Sequence, residues 1–360
     1  MTKFKYVLIG CGRISNKHLE ALAANSAMYE PVGFVDIIEQ RAIDAVGKVK
    51  QKLTQTAPAY YTDYRKMMLE LKPDVVAIAT ESGYHAEIAC DILKSGANVI
   101  LEKPMALSTT DCDRIIEAAN KTGKKVTVCF QNRFNPPIQK LRTAVEKGMF
   151  ENIYHGQVSI RWNRNKEYYE QAAWRCTWEL DGGALMNQCS HGIDLLQWMM
   201  GGKITSVYGV LRKYNSPREA EDFGSAIVEF DNGKVGIIEG SVVLYPNNLE
   251  EKLSIFGAKG TVVIGGLAVN HIETWRIEGE QTANIEPRND PQDVYGSGHA
   301  PLYKNFYDAI INDKKPYISA EDGRTAVEII LAVYKSMKEK RRIDFPVSFS
   351  TLEMKEIGRL

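Results

Sequence analysis

Tyr6-Val7-Leu8-Ile9-Gly10-Cys11-Gly12-Arg13-Ile14-Ser15 is a short apolar run that ends on a pair of glycines and passes straight into helix-like sequence. In a dinucleotide fold the first glycine makes the tight turn, and the second lets the backbone approach a pyrophosphate resting on the helix N-terminus. The third glycine position holds Ser15, a departure that a small residue tolerates. Gly10, Gly12, Arg13 and Ile14 are therefore candidate cofactor-binding residues. A glycine pair alone is a weak signal; the strand before it and the helix after it supply the required context.

Outward from that turn, the first third of the chain alternates short apolar runs with longer amphipathic ones, as a parallel sheet with crossover helices requires. The strands are predicted at Tyr6 to Ile9, Pro31 to Val35, Val75 to Ala79, Val99 to Leu101 and Val126 to Phe130. Helical spacing of apolar residues covers Ile14 to Ala24, Glu39 to Lys52, Asp63 to Leu71, His85 to Lys94 and Thr109 to Thr122. After Phe130 the pattern changes. Asn135-Pro136-Pro137 breaks the chain, a short helix runs to about Gly148, and β-rich segments follow from Tyr154, with Asp231-Asn232-Gly233 as a hairpin turn. Further helices are expected at Leu185 to Met200, Leu302 to Ile311 and Ala320 to Lys340. The expected architecture is α/β: a Rossmann dinucleotide-binding domain over residues 1–130, then an α+β domain with an open, mostly antiparallel sheet over residues 131–360.

Ligands of open α/β sheets bind in the crevice outside the carboxyl ends of the strands, so the residues at those ends are the candidates. The second strand ends at Asp36, about where an acid would hold the adenosine ribose hydroxyls of NAD and repel the extra phosphate of NADP. A helix cap or turn residue is the alternative for Asp36, and Arg41 a turn later leaves NADP in play. Thr80 and His85 follow the strand Val75 to Ala79 and suit the nicotinamide ribose or phosphates, or else form an ordinary loop capping the next helix. Glu102-Lys103-Pro104 ends the apolar run Asn98-Val99-Ile100-Leu101. A lysine emerging there faces a cofactor or a substrate; alone, it would equally be a solvated strand-end charge. Glu102, Lys103 and Gln131 complete the cofactor set.

The second domain carries Asp181-Gly182-Gly183-Ala184-Leu185-Met186-Asn187-Gln188-Cys189-Ser190-His191-Gly192-Ile193-Asp194. If this is one helix, Asn187, His191 and Asp194 share a side. His191 is then a candidate general base near neutral pH, with Asp194 to orient it, although a lone helical histidine is also a common structural residue. Gln131 to Asn135, Arg161-Trp162-Asn163-Arg164, Tyr168-Tyr169 and Trp174-Arg175-Cys176-Thr177-Trp178 crowd arginine, aromatic and amide side chains together. Arginine forks suit carboxylates and phosphates, and aromatic faces suit sugars and bases. Arg161, Arg164, Tyr168, Trp174, Arg175 and Asn187 are the candidate substrate contacts, for an anionic sugar derivative; an oligomer interface has the same composition.

Composition narrows the class. With 360 residues, 44% hydrophobic and 25% charged, the chain matches ordinary globular proteins of two domains. Lys plus Arg and Asp plus Glu are 45 each, so no global field draws nucleic acid or an anionic membrane. The N-terminal apolar run is too short for a signal peptide and no stretch reaches the length of a membrane span, so the expected location is the cytoplasm. The six cysteines, Cys11, Cys90, Cys112, Cys129, Cys176 and Cys189, show no CxxC pair, which argues for reduced structural thiols rather than disulfides or a metal site.

The glycine turn, Glu102-Lys103-Pro104 and the Gly182-Gly183 helix carrying His191 and Asp194 resemble the Gfo/Idh/MocA oxidoreductase family over nearly the whole chain. The resemblance implies an NAD(P)-dependent dehydrogenase acting on a sugar or cyclitol hydroxyl, with a C-terminal sheet that commonly mediates oligomerisation; a homo-oligomer, with a tetramer favoured, is expected. Gln131 to Pro137, Trp174 to Trp178 and Met186 to His191 resemble the branch called WlbA or WbpB. Its members oxidise the C3 hydroxyl of UDP-N-acetylglucosaminuronic acid on the way to a diacetamido uronic acid of surface polysaccharide, and some reoxidise retained NADH with 2-oxoglutarate. On this reading His191 takes the hydroxyl proton, and Lys103 hydrogen-bonds the same oxygen or shares the proton transfer. The rivals are a dehydrogenase of a neutral substrate, such as UDP-N-acetylglucosamine or an inositol, and a regulator that binds NAD and sugar without turnover.

Overall fold

The structure is a computed structural model that describes residues 2–52, 57–280, 294 and 296–357. By compactness the chain divides into two units. One comprises Met1–Ala106, Asp111–Cys129 and His299–Arg324; the other comprises Leu107–Thr110, Phe130–Gly298 and Thr325–Leu360. Among the described residues, no helix is long and apolar enough to cross a membrane.

In the first unit, β1 (Phe4–Ile9), β2 (Tyr29–Val35), β3 (Ala59–Tyr61), β4 (Val75–Ile78), β5 (Asn98–Leu101) and β6 (Val126–Val128) form one sheet. Their order is β3-β2-β1-β4-β5-β6, with every pairing parallel. The order reverses direction between β1 and β4, the switch point at which doubly wound sheets bind ligands. β4 and β5 are buried at every position, which is why they read as unbroken apolar runs rather than alternating ones. β3 is absent from the sequence reading: its three residues sit at the sheet edge, part-exposed, too short to show a period. Asp63 stays outside the following helix because its side chain accepts the Arg65 amide at 2.8 Å, so the helix begins at Tyr64.

The helix His299–Ile311 belongs to this first unit. Asn25 ties the end of the first helix to the Ala300 carbonyl at 3.0 Å, and Tyr303 inserts between Tyr6 and Tyr29, donating or accepting at 2.7 Å with the Tyr6 hydroxyl. The expected division at residue 130 assigns that helix to the second domain. The side chains that place it instead lie almost 300 residues away in sequence, beyond any local pattern.

In the second unit, β7 (Ile153–Arg161), β8 (Ile204–Arg212), β9 (Phe223–Phe230), β10 (Val235–Ser241), β11 (Glu250–Gly257), β12 (Gly260–Gly265), β13 (His271–Ile277) and β14 (Ile343–Asp344) form the second sheet. Its order is β13-β12-β11-β7-β10-β9-β8-β14, antiparallel except for the β10 and β7 pair. The helix Ser190–Met200 lies against one face: a Cβ at Gly192 would stand 2.6 Å from Val158 and 2.8 Å from Ile160, so only glycine permits this approach. Ile193, Leu195, Leu196 and Met199 are buried by it, each contributing roughly 1.5–3 kcal/mol as an upper estimate. On the other face the cross-strand partners Tyr208 and Ile227 are exposed.

Candidate active site

Gly10 adopts a φ of +92°, and a Cβ there would lie 2.4 Å from the Ala79 carbonyl oxygen at the end of β4. Both conditions require glycine. At Gly12 nothing among the described residues stands within 4 Å of a would-be Cβ, so the backbone is open to close approach. The helix Ser15–Ala24 begins without a side-chain cap and without an acid in its first turn, which leaves its positive end uncompensated and suited to an anion. Ser15, in the third glycine position, donates its hydroxyl to the Gly12 carbonyl at 2.6 Å and so closes the turn itself.

Asp36 is held at the end of β2 by two amides: Cys11 donates to Oδ2 at 2.9 Å and Ile38 to Oδ1 at 2.8 Å. Each oxygen keeps a further lone pair, so the turn role and a ribose-binding role coexist in the one side chain. The open cradle at Gly12, the uncapped helix and this carboxylate fit a dinucleotide. His85 is buried, with Nδ1 at 2.8 Å from the Pro104 carbonyl and Nε2 at 3.2 Å from the Thr80 carbonyl. A neutral ring carries one N–H, so His85 donates to one of these carbonyls and packs against the other, between the Thr80 loop and the Glu102-Lys103-Pro104 segment. Burial lowers its pKa, which keeps the ring neutral at physiological pH.

Glu102 points inward from the same segment. His18 Nε2 approaches its Oε1 at 3.1 Å and His299 Nε2 at 3.2 Å, while the Lys103 amide donates to Oε2 at 3.2 Å. With Nε2 of His18 protonated to serve Glu102, Nδ1 accepts the Tyr303 hydroxyl at 2.6 Å. Burial opposes the charge on Glu102, but the two histidines hold its pKa well below the usual carboxylate range. Burial, reinforced by Glu102, keeps Cys129 a thiol. The donor atoms of His18, Glu102, Cys129 and His299 lie within 4.8 Å of one another, a grouping that could hold a metal ion in principle. Their mutual hydrogen bonds already account for the buried carboxylate. The strand end therefore separates two roles: Glu102 anchors the backbone from inside, and Lys103 is only half-buried. The Lys103-Pro104 peptide is cis.

In the second unit, the expected single helix from Leu185 to Met200 is two helices, Ala184–Asn187 and Ser190–Met200. The interruption falls at Gln188 and Cys189, where the Gln188 side chain engages Arg164, Tyr168 and Asn187. His191 lies in the first turn of the second helix, buried, its ring edge-on to Phe130 at 5.8 Å. Asp194, one turn on, has its carboxylate bound by Arg133, with Nε donating at 2.7 Å and Nη2 at 2.5 Å. Arg133 also lies 4.7 Å from the Trp198 ring. Sequence spacing pairs Asp194 with His191 and carries no signal for this arginine.

The substrate candidates separate by partner. Arg161 is bidentate to Glu239 at 2.9 and 2.6 Å and reaches Glu250 at 2.7 Å. Those carboxylates raise its pKa further, and two acids on one guanidinium leave it no net positive charge to offer an anion. The structure therefore removes Arg161 from the anion-binding set. Arg164 donates to neutral acceptors, Gln188 at 2.7 Å, the Asn163 carbonyl at 2.7 Å and Asn248 at 3.0 Å, and stacks near Trp162 and Tyr168. Arg175 lies over the Tyr168 ring at 3.9 Å and near Trp174 at 5.5 Å. Asn187 donates to Asp181 and accepts from Gln188. Gln131 is buried, and its Oε1 has no hydrogen-bond partner among the described residues.

Beneath the Gly182-Gly183 turn lies Glu221, which sequence reasoning missed. Its Oε1 accepts the Leu185 amide and the Tyr334 hydroxyl, each at 2.8 Å, and Gly183 leaves no room for a Cβ against it. Oε2 is buried and without a partner among the described residues. Burial pushes the Glu221 carboxyl up to about 8.

Residues 4–130 match the oxidoreductase family model for an NAD-binding Rossmann fold, and residues 142–345 match that family's C-terminal alpha/beta domain. The chain belongs to the Gfo/Idh/MocA oxidoreductase family. Its Rossmann unit binds NAD, and the glycine turn, uncapped helix and Asp36 are the residues that fit the dinucleotide. Among solved structures of the family, the chain is 34% identical to the WlbA dehydrogenase of Bordetella pertussis in complex with NADH and UDP-GlcNAcA. That likeness covers 96% of this chain and 100% of the other, with a TM-score of 0.85. The WlbA dehydrogenase of Chromobacterium violaceum, in complex with the same two ligands, is 33% identical over 96% of this chain and 97% of its own, also with a TM-score of 0.85. A more distant relative, the myo-inositol 2-dehydrogenase of Thermotoga maritima, is 24% identical over 342 residues, 93% of this chain and 97% of that protein.

Proposed function

We propose that the protein oxidises the C3 hydroxyl of UDP-N-acetylglucosaminuronic acid to the ketone, using NAD. NAD supplies the hydride acceptor. The carbon loses a hydride, and the hydroxyl proton passes to His191, imidazole being the side chain suited to act as a base near neutral pH. Lys103 donates a hydrogen bond to the same oxygen and stabilises the charge that develops as the proton departs. Glu102 holds the Lys103 backbone from within, and Arg133 fixes Asp194 one turn from His191.

The likeness to two WlbA dehydrogenases, over nearly the full length of each, carries this reading. A part-buried basic and aromatic cluster around Tyr168, with Arg175 its buried arginine, supports an anionic sugar. The reading extends to the biosynthesis of a diacetamido uronic acid of surface polysaccharide, to reoxidation of bound NADH by 2-oxoglutarate, and to a homo-oligomeric, tetrameric assembly. The exposed Tyr208 and Ile227 pair offers an apolar spot on the sheet through which copies could associate, without fixing their number. The test is to release the bound cofactor, determine its redox state, and follow nicotinamide absorbance with the UDP-linked uronate, with UDP-N-acetylglucosamine and with myo-inositol. Turnover of the uronate, with NADH consumed on adding 2-oxoglutarate, is expected; turnover of a neutral substrate alone would replace this reading with that of the inositol dehydrogenase relative.

A further inference from the structure

We infer that Arg175, and neither Arg161 nor Arg164, carries the carboxylate of the substrate; this rests on the uronate reading above. Arg175 is 8% exposed, and among the described residues its Nε and Nη1 are buried without a hydrogen-bond partner. An unpaired charge removed from water is strongly unfavourable, so a guanidinium kept in this state is set for an anion that arrives with the ligand. Its position is fixed in advance. The group lies 3.9 Å over the Tyr168 ring, whose hydroxyl accepts from Gln188 at 3.0 Å, and Gln188 also donates to Asn187 at 2.7 Å. Asn187 ends the short helix that precedes the His191 helix, so a chain of contacts joins Arg175 to the element bearing the proposed base.

The other two arginines are committed elsewhere. Arg161 is neutralised by Glu239 and Glu250, and Arg164 has donors placed on Gln188, Asn163 and Asn248. Charge decides between the two anions of a nucleotide-linked uronate. One buried guanidinium is balanced by one carboxylate, whereas a diphosphate carries about two charges and would leave one uncompensated in a desolvated place. The planar fork of arginine also matches a planar carboxylate better than a lysine would.

The experiment compares the wild type with R175Q and R175K on UDP-N-acetylglucosaminuronic acid and UDP-N-acetylglucosamine, with UDP as a competitive inhibitor. In R175Q the ratio of kcat/KM for the uronate over the neutral sugar is expected to fall by about 100-fold, while the UDP inhibition constant moves by less than about threefold. R175K keeps the charge without the fork, and about a tenfold fall is expected; it serves alone if R175Q does not fold. An unchanged ratio overturns the assignment and leaves the uronate reading standing. A loss of UDP affinity equal to the loss for the uronate also overturns it, placing Arg175 on the diphosphate. A wild type that does not turn over the uronate overturns both.

Discussion

Arg133 and Asp194 stand 61 residues apart in the chain and are joined by two hydrogen bonds, of 2.7 and 2.5 Å, with both side chains almost wholly buried. The pair fastens the segment after the first sheet to the helix of His191. A buried pair of this kind adds little over an apolar substitute, but removing one partner leaves the other charge unpaired. Arg133→Ala or Asp194→Ala should each destabilise the protein by about 3–5 kcal/mol, and the double variant by clearly less than the sum. Urea denaturation of the four proteins checks this; additive losses would show that the pair acts as two separate groups.

Lys103→Ala should lower turnover by about 100-fold or more while leaving NAD affinity within a few fold, because the lysine is assigned to the reacting oxygen. Steady-state rates and NADH fluorescence titration on the same preparation measure the two effects. A variant with wild-type turnover would remove Lys103 from the proposed chemistry.

Asp36→Ser should weaken NAD binding by about tenfold and shift preference toward NADP, since the carboxylate that meets ribose hydroxyls also repels a phosphate. The Cys11 and Ile38 amides now held by Asp36 can still be served by a serine oxygen, though less fully. Cofactor titration with both nucleotides reads the preference directly, and an unchanged ratio contradicts the ribose role.

Glu221 makes stability depend on pH. Its carboxyl is pushed from 4.5 up to about 8 by burial, so the folded state favours the protonated form. The contribution is complete below about pH 4.5 and is lost as pH rises through about 8, at up to about 1.4 kcal/mol per pH unit between them. Glu221→Gln keeps an amide in place of the neutral acid and should flatten that decline. Thermal midpoints between pH 5 and 9 would show the two proteins diverging on the alkaline side; parallel curves would assign the dependence elsewhere.

What the linear sequence determined is what neighbours along the chain enforce. The glycine turn was legible because Gly10 needs a left-handed backbone against the Ala79 carbonyl and the next residues must start a helix, conditions written within a dozen positions. The sheet of the first unit was legible because strands buried on both faces must be apolar throughout. Glu102-Lys103-Pro104 and the motif around His191 stood out as candidates for the same reason: each sits at an element end that local pattern reveals.

Only the tertiary structure decided which charges are already taken. Arg161, Arg164 and Arg175 look alike as residues, yet Glu239 and Glu250 neutralise the first, amides hold the second, and the third is buried over an aromatic ring. Glu102 acquired His18 and His299 from positions 84 and 197 residues away, and Asp194 acquired Arg133. Electrostatic energy depends on distance in space and on exclusion of water, neither of which a sequence separation carries. Residue type therefore limited what each side chain could do, and its neighbours in the folded chain selected what it does.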